Sequence, residues 1–295
     1  MTKVVVVGSA NMDLVGTVAR LPLPGESLLG DDFVMGPGGK GANQAIAAVR
    51  AGGACTFLGA IGSDEFGVTL KARLRRSGVD TTHLRVTYGT SGVAVIAVDR
   101  AGENAIVVIP GANASFTGLT EAECAVIADA DVLLCQLEIP VQTVAAAVRA
   151  ARQAGTRVVL NAAPAQTLPT QLLDDVDLLI VNEVEARAMT GATRDDPASL
   201  LSVVPRAVLT LGADGAWYGD RQGASERIPP VTVEVVDSTA AGDAFTGAFA
   251  VAWGEGRDVL DAVRWANAAG AACVRRMGAS ASLPERADID ALYQP

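Results

Sequence analysis

Aromatic side chains are scarce in this sequence: Phe, Trp and Tyr together make up 4% of its 295 residues. Hydrophobic residues nevertheless account for 50%, so the core has to be built from Ala, Val, Leu and Ile. A chain of this length can bury a large core of that kind without disulfides or metals. We therefore expect a folded protein with one large unit, or with one large and one small unit.

Cysteine and histidine are also rare. The four cysteines form no Cys-x-x-Cys pair, and His83 is the single histidine. These residues are too few and too scattered for a cysteine- or histidine-based metal site. A sequence without a disulfide framework is typical of a reducing compartment, so we expect a cytoplasmic protein.

Positive charge is in short supply, because 23 Lys and Arg face 33 Asp and Glu and the formal net charge is −10. Broad electrostatic binding to nucleic acid or to an anionic membrane is therefore not expected, although a local positive site could bind an anion. No segment approaches the ~18 apolar residues of a membrane helix. The first residues, MTKVVVVGSANMD, also lack the pattern of a signal peptide.

Short apolar, β-branched runs alternate with helical stretches along the chain. Residues 141–155 show helical spacing and an Ala-rich composition closed by a glycine. This alternation predicts an α/β protein with a doubly wound, mostly parallel sheet and helices on both faces. The predicted strands lie within residues 3–8, 56–62, 131–138, 156–164, 177–183 and 207–215.

Two regions interrupt the alternation. Residues 84–111 predict two strands joined by a turn at 99–104 with no helix between them, and residues 14–36 are irregular. We interpret both regions as a small β lid over the carboxyl ends of the main strands, where ligands of such folds bind.

The segment DSTAAGDAFTGAFAVA, residues 237–252, places Ala240, Ala241 and Gly242 ahead of Asp243. An apolar helix is predicted to start near Ala244. A helix N-terminus with small residues lets a phosphate approach free N–H groups, and a carboxylate beside it could take a proton from an attacking hydroxyl. This pairing is what phosphoryl transfer needs. The alternative is an ordinary acid that stabilises the helix start.

The glycine-rich segment GPGGKGANQA, residues 36–45, has two superficial matches to nucleotide motifs. It is no P-loop, because Gly41 follows Lys40 where Ser or Thr is required. It is a weak dinucleotide fingerprint, because it does not open the first βαβ unit. We interpret it as a flexible turn that delivers Lys40 and Asn43 to a hydroxylated ligand, with a plain helix-entry loop as the alternative.

The first strand is followed by SANMD, in which Asn11 and Asp13 are two residues apart. Such residues point the same way on an extended chain. A carboxylate and an amide side by side suit a vicinal diol on a sugar. A turn signal is the alternative.

Two further segments follow predicted strands. Asn182, Glu183 and Glu185 open a helix, where acids cap the N-terminus or position hydrated Mg²⁺ and a nucleotide phosphate. The loop TLGADG, residues 210–215, either admits a nucleotide or simply turns a corner.

In this order, the segments resemble the ribokinase-like (PfkB) carbohydrate kinase family over essentially the whole chain. The specific motifs are GGKGANQA, residues 38–45, and DSTAAGDAFTGA, residues 237–248. The resemblance implies one ribokinase-like α/β domain over 1–295, with the lid inserted from about 14–36 and 84–111. It implies ATP-dependent phosphorylation of D-ribose at the 5-hydroxyl, with Mg²⁺ and an activating K⁺. The alternatives are another small-sugar or nucleoside kinase such as deoxyribokinase or fructokinase, a non-catalytic sugar-binding module, and an NAD(P) oxidoreductase.

The resemblance also implies roles for individual residues. Asp243 would be the base, and the backbone of Ala240, Ala241 and Gly242 the anion hole. The ribose contacts would be Asn11, Asp13, Gly39, Lys40, Asn43 and Glu138. ATP would be bound by Asn182, Thr210, Leu211, Gly212, Ala213, Asp214, Gly215, Gly242 and Asn267. Glu185 would act on the Mg²⁺ side, and the K⁺ site would comprise Asp237, Thr239, Cys273, Arg276, Gly278 and Ser282.

Two departures from the family pattern stand out: Ala244 replaces the usual Thr after the catalytic Gly-Asp pair, and AAGD replaces the commoner GAGD. Any hydroxyl role at position 244 is therefore lost. The resemblance also implies a homodimer formed through the lid sheet, and the apolar run at residues 93–98 suits that role.

Overall fold

The computed structural model describes residues 1–294, and an eight-stranded sheet forms its centre. In sheet order the strands are β14 (Ser225–Ile228), β13 (Ala216–Asp220), β12 (Arg206–Thr210), β11 (Leu178–Asn182), β10 (Arg157–Asn161), β9 (Val132–Cys135), β1 (Lys3–Val7) and β4 (Ala54–Leu58). The strands from β12 to β4 are parallel, and β13 and β14 add an antiparallel edge. The predicted mostly parallel sheet is confirmed.

Helices cover both faces of this sheet. Successive side chains of a strand point to opposite faces, so an apolar strand contributes to a core on each side. Val4 and Val6 of β1 belong to one core cluster, whereas Val5 and Val7 belong to the other. The helices are α1 (Lys40–Arg50), α2 (Glu65–Arg76), α3 (Ala112–Ser115), α4 (Glu121–Ala128), α5 (Val141–Ala154), α6 (Thr170–Asp174), α7 (Glu183–Thr190), α8 (Ala241–Gly254), α9 (Val259–Cys273), α10 (Ala279–Ser282) and α11 (Arg286–Leu292). The predicted doubly wound arrangement is confirmed as well.

Small residues let the helices of the first cluster approach closely. A Cβ built at Gly247 of α8 would lie 2.6 Å from the Cβ of Ala47 on α1. This close contact shows how a core with few aromatic residues still fills its space. It also brings the N-terminal turns of α1 and α8 next to each other. Within residues 1–294, no helix combines the length and hydropathy that crossing a membrane requires.

A second, four-stranded sheet has the order β3 (Gly30–Gly38), β2 (Asn11–Val18), β7 (Gly92–Asp99) and β8 (Asn104–Ile109). Most of this sheet comes from the two segments interpreted above as a lid, but β2 begins at Asn11. Asn11 and Asp13 therefore lie on one face of a strand, opposite Gly38 and Gly36 of β3. The first polar pair of the sequence is thus part of the small sheet.

Individual elements agree with the sequence to different degrees. The helix predicted over 141–155 is α5, and Gly155 ends it in a left-handed conformation. The run at 56–62 divides into β4 and a short β5 (Ala60–Gly62), which pairs with β6 (Arg85–Thr87). The helix start near Ala244 was wrong: α8 begins at Ala241, because Ala240 adopts a left-handed φ of 63° and the helix follows at once.

Candidate active site

A cavity of about 210 Å³ opens where α1, α7 and α8 begin, beside the carboxyl ends of β10, β11 and β12. Predicted residues from several separate motifs meet there. The cavity is lined by Lys40, Asn161, Ala163, Ile180, Asn182, Glu185, Thr210, Ala240, Gly242, Asp243 and Thr246. The carboxyl ends of parallel strands are the usual ligand-binding edge of such sheets.

The carboxylate of Asp243 lies in the first turn of α8 and is held by two side-chain amides. Asn43 donates from Nδ2 to Oδ2 at 3.0 Å, and Gln44 donates from Nε2 to Oδ1 at 2.9 Å. Asp243 forms no salt bridge with a described residue. Burial raises the pKa of its carboxyl, although the Lys40 charge and the two amides oppose the rise. A carboxylate without an ionic partner is free to accept a proton.

The anion hole was predicted at the N-terminus of α8. The first N–H groups of a helix have no intrahelical acceptor. The N–H of Ala241 is nevertheless occupied, because it donates to Ser238 O outside the helix at 3.2 Å. Gly242 is exposed at the cavity, and a Cβ built there would meet nothing within 4 Å. The open backbone at Gly242 therefore leaves room for an anion.

Four acidic side chains, Asp243, Glu138, Glu185 and Asp13, surround Lys40 and raise the pKa of its ammonium group. Burial, followed by the charges of Glu138 and Asp243, raises the pKa of Asp13 to about 7. Burial lowers the pKa of the Lys40 ammonium, but the nearby carboxylates raise it by more, so the net shift is upward. Lys40 therefore stays charged and partly offsets the repulsion among the acids.

Glu138 is the centre of the polar network on the lid side. Its Oε2 accepts from Ser9 Oγ at 2.5 Å, from the Lys40 backbone N–H at 3.1 Å and from Asn11 Nδ2 at 3.4 Å. Asn11 in turn accepts at Oδ1 from Asn113 Nδ2 at 2.7 Å. The structure thus brings Asn11, Lys40 and Glu138 together, as the resemblance implied.

The turn before α1 requires glycine for steric reasons. A Cβ at Gly38 would stand 2.0 Å from Asp13 Oδ2, so the carboxylate of Asp13 lies directly against this backbone. Gly39 adopts a φ of 90°, and a Cβ there would stand 2.6 Å from Asn11 N. The close packing of this turn places the backbone N–H of Lys40 against Glu138.

Asn43 carries one of the two buried side-chain oxygens near Asp243 that have no hydrogen-bond partner among the described residues; the other belongs to Gln136. Asn43 is buried, and its Oδ1 accepts no hydrogen bond from the described residues although its Nδ2 is bonded to Asp243. A buried acceptor without a donor is costly. A ligand hydroxyl would satisfy it.

On the opposite side of the cavity, Asn182 and Glu185 form a reciprocal cap on α7. Asn182 Oδ1 accepts from Glu185 N at 2.9 Å, and Glu185 Oε2 accepts from Asn182 N at 2.8 Å. Burial raises the pKa of the Glu185 carboxyl. The capping alternative is therefore realised, and Glu185 lines the cavity at the same time.

The predicted nucleotide residues divide into two groups. Asn182, Thr210 and Gly242 line the cavity, whereas the turn Gly212–Asp214 is exposed and Asp214 pairs with Arg194 at 2.7 Å. Leu211, Ala213 and Gly215 belong to the same loop. Asn267 on α9 lies outside the cavity and donates from Nδ2 to Pro229 O at 2.9 Å.

The residues predicted for a monovalent cation meet beside the α8 N-terminus. Asp237 accepts from Thr239 N at 2.9 Å and from Gly278 N at 2.8 Å. The Cys273 thiol lies 3.6 Å from Thr239 O and 3.1 Å from Ser282 Oγ. Burial raises the pKa of Asp237, but these hydrogen bonds lower it by more, so the carboxylate stays charged.

The exception in this set is the Arg276 side chain, which pairs with Asp288 at 3.1 Å. The predicted cation ligand at position 276 was the backbone carbonyl, which does not take part in this side-chain ion pair. One carboxylate among backbone carbonyls and hydroxyls is a hard oxygen environment, and it fits a monovalent cation.

Sequence reasoning missed several polar residues that hold the predicted ones. Gln44, Gln136 and Asn113 are fully buried and hydrogen-bonded around Asp243 and Asn11. Gln136 interrupts the apolar run of β9 and its following loop, which was a signal for a polar role. Gln44 lies on the buried face of α1, where an amide needs a partner.

Comparison with known proteins identifies the family. Residues 1–286 match the model of the pfkB family carbohydrate kinases. The chain is 40% identical over 291 residues to a ribokinase of Haemophilus influenzae, covering 95% of each chain. It is 38% identical to a ribokinase of Bacillus subtilis, covering 99% of each. The structure of Arabidopsis thaliana ribokinase complexed with ribose and ATP superposes with a TM-score of 0.92 at 31% identity, covering 99% of both chains. This chain belongs to the pfkB family of carbohydrate kinases.

Proposed function

We propose that this protein transfers the γ-phosphoryl group of ATP to the 5-hydroxyl of D-ribose, giving D-ribose 5-phosphate and ADP. The observation that carries the proposal is the position of Asp243. Its carboxylate lies in the first turn of α8 and lines the same cavity as Lys40. The backbone N–H of Lys40 in turn donates to Glu138, which also accepts from Asn11. The similar Arabidopsis protein of known structure was solved with ribose and ATP, which supports both substrates.

In the reaction, the sugar hydroxyl gives its proton to Asp243 while its oxygen attacks the γ-phosphorus. The bond from the γ-phosphorus to the bridging oxygen breaks, and ADP leaves with that electron pair. Lys40 and the N–H groups at the start of α8 offset the charge on the moving group. The raised pKa of Asp243 suits a base that works near neutral pH.

The lid-side residues hold the sugar in this proposal. Asp13 offers two acceptor oxygens, Asn43 Oδ1 lacks a donor, and Glu138 is fixed by its neighbours. A polyhydroxylated ligand supplies the hydroxyl donors that this set of acceptors needs. Gly39 and Lys40 complete the pocket through their backbone and charge.

We assign Mg²⁺ to the side of the cavity where Glu185 lies, together with the nucleotide phosphates near Asn182 and Thr210. When bound, Mg²⁺ supplies positive charge to the phosphate oxygens. The chain offers a single carboxylate there, which fits an ion that keeps most of its waters. The residues 211–215 and Asn267 would contact the nucleoside part of ATP.

We assign an activating K⁺ to the cluster of Asp237, Thr239, Cys273, Arg276, Gly278 and Ser282. The cluster adjoins the segment that leads into α8, so its order affects the predicted anion hole. Turnover in KCl is expected to exceed turnover in tetramethylammonium chloride of equal ionic strength. In Asp237→Asn this difference should shrink strongly, because the only carboxylate of the set is lost; an unchanged salt response would refute the assignment.

We also propose that a second copy of this chain covers the exposed apolar part of one face of the small sheet. Register places Met35, Leu14, Val95 and Val107 in one row across its four strands. Met35, Val95 and Val107 are 45–62% exposed, whereas Leu14 is half-buried and packs against the main core. A continuous apolar row is typical of a homodimer interface, and one flat sheet can pair with its own copy around a two-fold axis.

The compartment proposed for the enzyme is the cytoplasm. All four cysteines are free, and Cys55 and Cys135 are buried among apolar residues. Burial raises the pKa of both thiols, so they stay as inert thiols. This use of cysteine suits a reducing compartment.

The decisive experiment follows ADP release with MgATP and a panel of acceptors: D-ribose, 2-deoxyribose, fructose and adenosine. D-ribose is expected to give the largest kcat/KM, and phosphorus NMR should place the new ester on C5. A larger kcat/KM with another acceptor would assign the chain to that branch of the family. Ribose binding without any ADP release would favour a non-catalytic binding protein, which the base-like setting of Asp243 argues against.

A further inference from the structure

The carboxylate of Asp243 is the end of a chain of buried amides. Gln44 donates from Nε2 to Asp243 Oδ1 and to Asn161 Oδ1, both at 2.9 Å. Gln136 donates from its own Nε2 to Gln44 Oε1 at 2.6 Å. Both glutamines have no solvent exposure. We propose that Gln44 and Gln136 form a positioning pair that sets the orientation of the Asp243 carboxylate for proton transfer. This inference rests on the function proposed above.

The direction of the hydrogen bonds follows from the carboxylate. A carboxylate only accepts, so the Gln44 amide must turn its nitrogen toward Asp243. Its oxygen then faces Gln136, which must donate in turn. The Gln136 Oε1 is left without a partner. An unpaired buried oxygen is costly. We infer that the Gln136 amide keeps this orientation because Gln44 Oε1 needs the Gln136 nitrogen as its donor.

Close packing leaves Gln136 little freedom to turn away. A Cβ built at Gly8 would stand 2.1 Å from Gln136 Oε1 and 2.9 Å from Gly41 Cα. The amide is thus clamped between the end of β1 and the start of α1. The glycines at positions 8 and 41 provide the space in which Gln136 can reach Gln44.

Two successive residues of α1 then fix the carboxylate plane. Asn43 bonds Oδ2 and Gln44 bonds Oδ1, so a rotation about the Cβ–Cγ bond would break both bonds. Each oxygen keeps a further lone pair for the proton of the sugar hydroxyl. General-base catalysis depends on this geometry. The pair should therefore act on kcat and leave sugar binding largely intact.

The charged and titratable groups around Asp243 remain in place when the glutamines change. They are Lys40, Asp13, Glu138, Glu185 and the Cys273 thiol. The Gln44 hydrogen bond lowers the pKa of Asp243, so its loss should move the acidic limb of the kcat profile to higher pH. A purely structural role for the glutamines would not move that limb.

The test is a double-mutant cycle on Gln44→Met, Gln136→Met and the double variant. Methionine keeps the length of the side chain and removes the amide. Turnover of ribose is measured as kcat against pH, and ribose affinity by calorimetry without ATP. We expect Gln136→Met to lower kcat by roughly 3- to 30-fold, as a part of the 10²–10⁴ that a positioned base supplies. Ribose Kd should stay within about twofold, and Gln136→Met should have no further effect on kcat in the Gln44→Met background.

Thr156→Val is the matched control, because it also removes a buried side-chain hydrogen bond, 3.0 Å to Ile127 O, away from the site. It should leave kcat and its pH profile unchanged. If Gln44→Met does not fold, Gln44→Leu takes its place in the cycle, since leucine also lacks the amide and adds no titratable group beside Asp243.

The proposal is overturned if Gln136→Met keeps the wild-type kcat, or if it lowers kcat equally in both backgrounds. An increase in ribose Kd that matches the fall in kcat would also overturn it. Failure of the wild-type protein to phosphorylate ribose would instead refute the proposed function, because the cycle is read only against an active parent.

Discussion

The side-chain amide of Asn113 donates a 2.7 Å hydrogen bond to Oδ1 of Asn11. Asn113 also accepts at Oδ1 from Ala10 N at 3.0 Å, and both asparagines are buried. This pair of contacts fixes the amide of Asn11 with its nitrogen toward Glu138. Gly92 makes the arrangement possible, because a Cβ there would stand 2.1 Å from Asn113 Nδ2.

Asn113→Asp is therefore expected to weaken sugar binding without affecting ATP. The variant keeps an acceptor for Ala10 N but removes the donor to Asn11, which must turn its amide and present oxygen to Glu138. Leaving a buried group unpaired costs about 1–3 kcal/mol, or roughly 5- to 150-fold in affinity. Calorimetry should show this loss for ribose, while the KM for ATP stays within about twofold.

Thr143→Val on α5 is a suitable control for that experiment, because it removes the buried hydrogen bond that the Thr143 hydroxyl donates to Phe116 O, the C-cap residue of α3. It should leave ribose affinity unchanged. Equal losses in both variants would mean that Asn113 contributes only stability.

Asp243→Asn is expected to lower kcat by about 10²–10⁴. The substitution keeps the shape but removes the proton acceptor, and it sets an NH₂ group against the donors of Asn43 or Gln44. The variant should still unfold cooperatively and bind ribose measurably. A coupled assay of ADP release measures kcat, thermal unfolding checks the fold, and calorimetry measures ribose binding.

Glu121→Gln is the control for the loss of an acid that merely stabilises a helix start, because Glu121 also lies in the first turn of a helix, α4. It should leave kcat unchanged. Near-normal turnover by a folded Asp243→Asn protein would show that another group is the base.

Asp13 is expected to make the ligand-free protein less stable as pH rises. Burial and the charges of Glu138 and Asp243 raise its pKa from 3.8 to about 7. Between these two values the folded state binds a proton that the unfolded state releases, so the stability from this group is present below pH 4 and is lost as pH rises through 7. The charge of Lys40 offsets only part of this loss.

The comparison that checks this uses Asp13→Asn, which does not titrate. Thermal unfolding from pH 4 to pH 8 should show the variant gaining stability relative to wild type up to about pH 7, with no further gain above it. A constant difference across that range would contradict the raised pKa. Ribose affinity should fall in the same variant, because the carboxylate that destabilises the empty site is a proposed sugar ligand.

Much of the fold was predictable because it depends on local patterns. Apolar runs alternating with an amphipathic helix such as 141–155 predict a parallel sheet with covered faces, and the sheet has that form. The start of α8 was not predictable, because the left-handed backbone at Ala240 is not signalled by an alanine. The run at 56–62 divides into two strands because β5 pairs with β6. This pairing joins Ala60 to Arg85, 25 residues later in the sequence, so it could not be predicted from the local pattern.

The arrangement of the proposed site was predictable where a motif carries the residue, as with Asp243 and Lys40, which line one cavity, and with Asn11, which bonds Glu138. It was not predictable for residues that act through long-range contacts. Gln136 reaches Gln44 across 92 residues and Asn113 reaches Asn11 across 102, so no local spacing connects them. The hydrogen bond from the Asn267 amide to Pro229 O was not predictable either, because the two residues are far apart in the sequence.

The apolar row of Met35, Leu14, Val95 and Val107 on the small sheet predicts that Val107→Glu disrupts the proposed homodimer. Val107 is 62% exposed and lies opposite Val95 in the register of β7 and β8. A buried unpaired carboxylate at the centre of an interface is strongly unfavourable. Light scattering after size-exclusion chromatography should give a dimer mass for wild type and a monomer mass for the variant. Val68→Glu on α2 is the control, because Val68 is 72% exposed but lies outside the row, and it should stay dimeric. A monomeric wild type, or a dimer that tolerates glutamate at position 107, would show that a second copy does not cover this face.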